Sequence, residues 1–572
     1  MPAGSIGRLS QIPRDNEPRF DVIVIGGGIT GVCIAREASA NGMSVVLVDK
    51  ADFGSGTSSA TTKYIHGGIR YLESMEVGVV RESLRERRIL ALAAPHLVRQ
   101  QRFLMPAWSW SKPNAPIIGL GVGLYGGLAY DRNKDVPGSL RIPRSAWLSR
   151  STVLREVPWL QGEELRGAWA YYDTLNLFPE RLLLEFLFTA VQQGALAINY
   201  CKATRLDFEP TDAEGNTAVS GIIVQDTLTG EEATIRGSVV VNAAGPWVDE
   251  VLTGIKSSVH VLRSKGVHVL VSSIDGMRQQ DAVFARARTG GHVIVSPWMG
   301  RLLVGPTDTA IDEQVDDAHA LASDVALVLD TLNQTLADGV APLTASDVID
   351  TTVGVRPLIG TGESESYSAS RRHEVHDHAS EGYRGLYSIL GGKWTTGRAT
   401  AEHLLRVLAS SGHWSGHSLV STRRSAVSTA WAWADDPTPY VEGVVQSWAR
   451  LGIPRPVVEM LTMLYGTAAN DVLALAAADP ALAVRISDRE GVHDIAAQIA
   501  WGVDHEGART LADLIDRRMT IGSMGGITDE EILTIAQWAG PLLDVDPAAA
   551  ARSEIARRNA LRALWESPSS TT

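Results

Sequence analysis

Phe20 to Gly31 reads FDVIVIGGGITG: a short run rich in β-branched residues enters three consecutive glycines, and small and apolar residues follow from Ile29 to Ala40. A strand that turns on glycine straight into a helix leaves the chain little freedom in how it folds there. Asn41-Gly42 ends the helix, and Ser44 to Val48 (SVVLV) is a second apolar strand closing on Asp49. Strands without polar alternation, joined through a helix, predict a βαβ unit in a parallel sheet covered on both faces. Gly26, Gly28 and Gly31 fit G-x-G-x-x-G. In this setting Gly26 permits the tight turn, Gly28 lets backbone approach a pyrophosphate, and Gly31 lets helix and strand pack closely. Asp49 stands where an acid accepts hydrogen bonds from an adenosine ribose. A glycine turn without ligand is the competing explanation, and the agreement of strand, turn and acid disfavours it. NAD and FAD fit the fingerprint equally, since both carry ADP.

The chain has 572 residues, and single cores stop growing near roughly 250–300, so two or three domains are expected. Hydrophobic residues at 45% and 15 tryptophans exclude a disordered chain. A net charge of −13 argues against a nucleic-acid partner, though a local basic pocket for a small phosphate stays open. Cys33 and Cys201 lack metal or disulfide spacing, so no zinc site is expected from them and a cytoplasmic, reducing setting fits. Residues 1–19 lack the apolar stretch of a secretory signal and are expected to form a flexible lead. Pro113 to Tyr130 is uncharged and carries five glycines, poor material for a spanning helix. Flanked by Trp108, Trp110 and Lys112, it is either a glycine-rich loop with a buried helix or a segment dipping into a bilayer surface.

Helical patterns cover Val80 to Ala94 and Arg181 to Gln193, while VHVLV, HVIVS and RLLVG between residues 259 and 310 predict an antiparallel sheet on the substrate side. After Asp435-Asp-Pro-Thr-Pro439, a plausible linker, Ala/Leu-rich helices take over. The expected class is α/β, with a Rossmann-like FAD-binding domain, an antiparallel-sheet substrate domain and an α-helical C-terminal domain, the flavin assignment resting on the resemblance below. The first comprises residues 20–106, 161–258 and 346–412. Residues 107–160 form an insertion on the substrate or membrane side, 259–345 the sheet, and 438–565 the helices.

Asp52 to Ser59 (DFGSGTSS) and Lys63 to Leu72 (KYIHGGIRYL) follow the second strand. They resemble the signature of the FAD-dependent glycerol-3-phosphate dehydrogenases. The resemblance continues in order through NAAGPWV (242–248), SKGVH (264–268), PTD (306–308), GVRPL (354–358) and GGKWTT (391–396), and weakly to Arg518. It implies bound FAD and the oxidation of glycerol 3-phosphate to dihydroxyacetone phosphate, with electrons passed to a quinone. Dioxygen as acceptor, another small hydroxy-phosphate as substrate, and a non-catalytic flavin scaffold are the alternatives. By the resemblance Thr57, Ser58, Lys63 and His66 line the flavin, with Gly245, Gly391 and Gly392 closing on it. Arg70, Arg356 and Arg371 face the substrate with Tyr71, Thr307 and Asp308, and arginine forks suit a phosphate dianion. His66 and His268 are equally candidates for the base that takes the C2 hydroxyl proton and for pocket-shaping residues. Lys393 is assigned to negative charge on the reduced flavin. The resemblance also implies peripheral contact with the inner face of the cell membrane, and a homodimer is considered. Asp173 to Leu182 (DTLNLFPERL) departs from the family by lacking its paired aspartates, and the departure bears on substrate and acceptor.

Overall fold

The computed structural model describes residues 6–12, 19–210, 217–274, 276–277, 280–311, 313–359, 372–414, 416, 418–430 and 436–566. Strands Glu232–Asn242, Phe20–Ile25, Val45–Val48 and Leu196–Ile198 lie side by side and parallel, with Leu386–Gly391 parallel on the outer flank of the first and His373–Asp377 antiparallel beyond it. Alternation explains why this sheet is apolar throughout. Val22 and Val24 pack under helix Ile29–Ala40 in one core, while Ile23 and Ile25 belong to a second core on the opposite face. Each fully buried side chain of this size contributes roughly 1.5–3 kcal/mol.

The second sheet runs Thr309–Ala310, Leu262–Val271, Arg301–Gly305, His292–Trp298, Asp281–Arg286, Val98–Trp108, Leu165–Asn176 and Tyr64–Ile65, with Val348–Leu358 also on Leu262–Val271 and Ala146–Ser149 on Leu165–Asn176. It reaches well beyond residues 259–345. Val98–Trp108 as far as Pro106, Leu165–Asn176 and Val348–Leu358, which the sequence places with the dinucleotide domain, belong here. Their partners explain it: Val98–Trp108 pairs along its whole length with Leu165–Asn176, and Val348–Leu358 with Leu262–Val271. The sheet is also mixed, because Asp281–Arg286 runs parallel to Val98–Trp108.

Residues 6–12 do not behave as a flexible lead. Leu9 and Ile12 are buried in the core shared with Val46 and Leu196, and Gly7 N donates to Ala197 O. Trp108 is likewise buried, at 2% exposure, and stacks on Trp110, so this pair is not a membrane-facing surface. From Thr438 onward the described chain is helical, and its last helix, Pro547–Glu566, carries Trp565 into the core of the second sheet.

Candidate active site

A cavity of about 1180 Å³ is lined from both sheets. At one end lie Gly26, Gly28 and Asp49. Gly26 takes a left-handed φ of +106°, which only glycine adopts without strain. Gly31 sits behind the lining, where a Cβ would come within 1.9 Å of Gly26 O, so this glycine sets the approach of helix to turn. Asp49 accepts from Gly27 N at 2.6 Å and Ala51 N at 2.8 Å, and burial nevertheless pushes its carboxyl up to about 6. Ser58 Oγ accepts from Ile29 N at 2.9 Å, satisfying one exposed donor at the start of helix Ile29–Ala40. Thr57 Oγ1 donates to Val355 O at 2.6 Å and ties this loop to the second sheet. Across the cavity Gly245, Gly391 and Gly392 all have positive φ, and a Cβ on Gly391 would meet Arg372 O at 2.4 Å. Bare backbone at one helix start, a fixed carboxylate and glycine turns opposite fit an ADP-bearing flavin, and the space exceeds what a small substrate needs.

His66, Arg70, Tyr71, His268, Thr307, Asp308, Arg356 and Lys393 line the same cavity. Arg356 is positioned from three sides: Nη1 donates to Ser264 Oγ at 3.2 Å and Asp308 Oδ1 at 3.3 Å, and Nη2 to Thr307 O at 3.0 Å. Gly266 makes room for it, since a Cβ there would lie 2.2 Å from Nη2. Arg70 Nη1 lies 3.0 Å from His292 Nε2. Burial and the Arg70 charge hold the His292 ring down at about 4, so it is neutral and accepts that hydrogen bond. Lys393 Nζ donates to Gly67 O at 3.2 Å and sits 4.6 Å from the Tyr71 ring. Thr307 clasps the neighbouring strand, its Oγ1 accepting from Val267 N at 2.9 Å.

The two histidines differ. His66 N donates to Thr395 Oγ1 at 3.3 Å, and burial with the Lys393 and Arg70 charges holds its ring at about 3. His268 is only 3% exposed, yet neither ring nitrogen makes a hydrogen bond among the described residues. Burial, with Arg356 and Lys63 nearby, holds it at about 3 and therefore neutral. A buried imidazole without partners beside a cavity is costly unless a ligand completes it.

Lys63 does not line the cavity. It adopts φ +59°, is buried, and puts Nζ 3.8 Å from Glu180 Oε1 and 4.5 Å from the Trp298 ring. A buried ammonium needs a counter-charge, and Glu180 supplies it from the very segment that departs from the family. From the same segment Asp173 accepts from Tyr125 Oη at 2.7 Å and pairs with Arg87, while Gly67 N donates to Tyr125 Oη at 2.8 Å. Arg371 lies outside the described residues. His292 was missed by sequence reasoning although Gly290-Gly291 before it marks a turn; Tyr125 carried no local signal at all.

A family model described as FAD dependent oxidoreductase matches residues 21–407, and one described as the C-terminal domain of alpha-glycerophosphate oxidase matches residues 422–550. The glycerol-3-phosphate dehydrogenase of Synechocystis sp. is 33% identical over 531 residues, covering 90% of this chain and 91% of the relative. Glycerol-3-phosphate dehydrogenase 2 of Mycobacterium tuberculosis is 34% identical over 534 residues, covering 91% and 84%. The solved glycerol-3-phosphate dehydrogenase of Bacillus halodurans, complexed with FAD, superposes with a TM-score of 0.75 at 26% identity over 97% of both chains. With the dinucleotide cradle, the arginine-lined cavity and full-length relatives agreeing, the chain belongs to the FAD-dependent glycerol-3-phosphate dehydrogenase family.

Proposed function

We propose that the chain oxidises sn-glycerol 3-phosphate to dihydroxyacetone phosphate. Bound FAD supplies the two-electron acceptor. Arg70 and Arg356 bind and orient the phosphate, and Arg371 joins them as the resemblance implies. His268 takes the proton of the C2 hydroxyl as the C2 hydrogen leaves as hydride, a role its neutral, unoccupied ring nitrogens suit. Lys393 holds positive charge where negative charge accumulates, and Tyr71 stacks beneath it. The observation that carries this reading is His268, buried beside the Arg356 guanidinium with no hydrogen-bond partner among the described residues. The test is anaerobic addition of glycerol 3-phosphate to the yellow holoenzyme: the flavin absorbance bleaches and one dihydroxyacetone phosphate forms per flavin. Bleaching by a different phosphorylated polyol, and not by this one, reassigns the substrate.

The acceptor we propose is a quinone, met at the inner face of the cell membrane by a peripheral, cytoplasmic protein. Helix Ala115–Leu128 supports this. Ile117, Leu120 and Leu124 share one outward face, with Leu120 75% exposed. Exposed Lys112, Lys134, Arg141 and Arg144 flank it in sequence against the exposed acid Asp135, although the whole chain is acidic. At 14 residues the helix is about 21 Å long, too short to cross and long enough to lie in the interface. Another stretch, Arg455–Ala478, has a span's length and hydropathy but is 56% buried in the C-terminal core. The second reading, dioxygen as acceptor, draws on the match of residues 422–550 to an oxidase's domain. Rapid reoxidation in air with stoichiometric peroxide, and none with quinone in vesicles, would favour it.

A further inference from the structure

Outside the cavity, three potential ligands converge at the edge of the first sheet. His376 lies on strand His373–Asp377, and His378 and Glu381 bound the short turn that follows, giving the spacing His-x-His-x-x-Glu. One ligand atom from each lies within 4.8 Å of the others. His378 Nδ1 is 2.6 Å from Glu381 Oε2, and His376 Nε2 is 3.4 Å from Glu381 Oε1. We propose that His376, His378 and Glu381 form a binding site for a divalent transition cation of the zinc type.

The surroundings are those of a ligand set held from behind. His378 Nε2 is 2.8 Å from Ser388 Oγ, on the strand directly across the ladder, where His376 pairs with Ser388. Without a cation, Nδ1–H donates to Glu381 Oε2 and the Ser388 hydroxyl to Nε2; when a cation binds, the ring proton moves to Nε2, which then donates to Ser388 Oγ, and the freed Nδ1 lone pair joins the carboxylate on the cation. Ser258 donates to Glu381 Oε1 from both its backbone N, at 2.8 Å, and its hydroxyl, at 2.5 Å, which favours the ionised carboxylate. The independent sign is His376: its Nε2 is a buried atom that makes no hydrogen bond among the described residues, although it points at the carboxylate. Zinc bonds of about 2.0–2.2 Å place tetrahedral ligand atoms roughly 3.3 Å apart, so the Glu381–His376 spacing already suits and the His378 contact opens by under about 1 Å. Three protein ligands leave the fourth position to water. The cation ties the outer strand of the first sheet to Ser258, on the chain entering strand Leu262–Val271 of the second. It is a structural clamp, since the same outer strand pairs His373 with Gly391 at the cavity wall.

The experiment uses flavin-loaded full-length protein, dialysed against zinc chloride and then assayed for bound metal, beside His376→Ala, Glu381→Gln and the double variant. Circular dichroism and flavin content confirm folding, and either single variant suffices if the double fails. Wild type should hold one zinc per chain more than the double variant, and each single should bind at least about tenfold more weakly. Amide exchange across residues 373–391 should slow with zinc in wild type only. Equal zinc content in wild type and variants, with no change in exchange, would overturn the proposal and leave a hydrogen-bonded polar cluster.

Discussion

His268 and Gly31 show how differently single residues act in this protein. Replacing His268 by Ala removes the proposed base without touching the flavin cradle, so kcat should fall by about 10²–10⁴ while flavin content stays intact and KM changes little. Steady-state kinetics with a soluble dye reads this; a raised KM at unchanged kcat would make His268 a pocket-shaping residue and pass the base role to His66. At Gly31 the effect is steric. An alanine Cβ would sit 1.9 Å from Gly26 O, a backbone atom with nowhere to go, so Gly31→Ala should cost at least about 1–3 kcal/mol and empty the flavin site together. Gly28→Ala meets only Ser58 Oγ at 3.2 Å, so it should leave the melting temperature close to wild type while weakening flavin retention. Thermal melts paired with flavin absorbance separate the two glycines. The roles of these glycines were legible in the sequence because each is a demand of the local backbone. His292 and Tyr125 were not, because what makes them matter is a partner brought from far along the chain, Arg70 and Gly67.

Among the elements, helix Ala115–Leu128 has two faces with separate duties. Its inner face buries Val122 and Tyr125, and Gly119 lets Trp169 lie against it, while Leu120 and Leu124 face out. Leu120→Glu with Leu124→Glu should lower co-sedimentation with anionic vesicles and quinone-linked turnover together, with dye-linked turnover near wild type. Loss of dye activity as well would mean the outer face supports the fold rather than a membrane contact. The βαβ unit was readable because strand, turn and helix are contiguous. The allegiance of Val98–Trp108 was not, since its partner strand begins at Leu165 and nothing local announces the pairing. That pairing also explains why Trp108 lies inside: it ends a strand whose register continues to Leu165, so an aromatic beside an uncharged stretch was the wrong guide.

For the whole molecule, the C-terminal helices are joined to the dinucleotide domain by buried ion pairs. Asp52 receives Arg518 through two hydrogen bonds of 2.9 Å and Arg517 through one of 2.5 Å, and Arg181 meets Glu506. Burial opposes the Asp52 charge, but the two guanidiniums prevail and hold its carboxyl well below the usual carboxylate range. Asp52→Asn removes the carboxylate that two buried guanidiniums share, leaving Arg517 with Asp513 and Arg518 with Glu506, and should cost up to about 3–5 kcal/mol at pH 7 by urea unfolding. Because the folded value is depressed, the contribution of Asp52 is complete above the unfolded carboxyl's pKa of about 4 and is lost as the pH falls below it. The wild type should therefore lose stability more steeply than Asp52→Asn on acidification below about pH 4, and equal slopes would discount the pair. The interleaving of the chain has a consequence for biogenesis. Phe20 pairs with Gly237, and Val240 with Leu386, so the first sheet cannot close on the ribosome until Gly391 has emerged. Phe20–Ile25 and Val45–Val48 are neighbours and emerge early, but their outer edges wait for Leu196–Ile198 and Glu232–Asn242, and the last of these waits in turn for Leu386–Gly391, which makes this a slow-folding topology with apolar edges exposed to chaperones and to other nascent chains. The cavity in which we propose the flavin sits takes in Gly26 early and gains Gly391 and Gly392 only near the end of its wall, so on that proposal loading of the cofactor is a late event in the life of each new molecule.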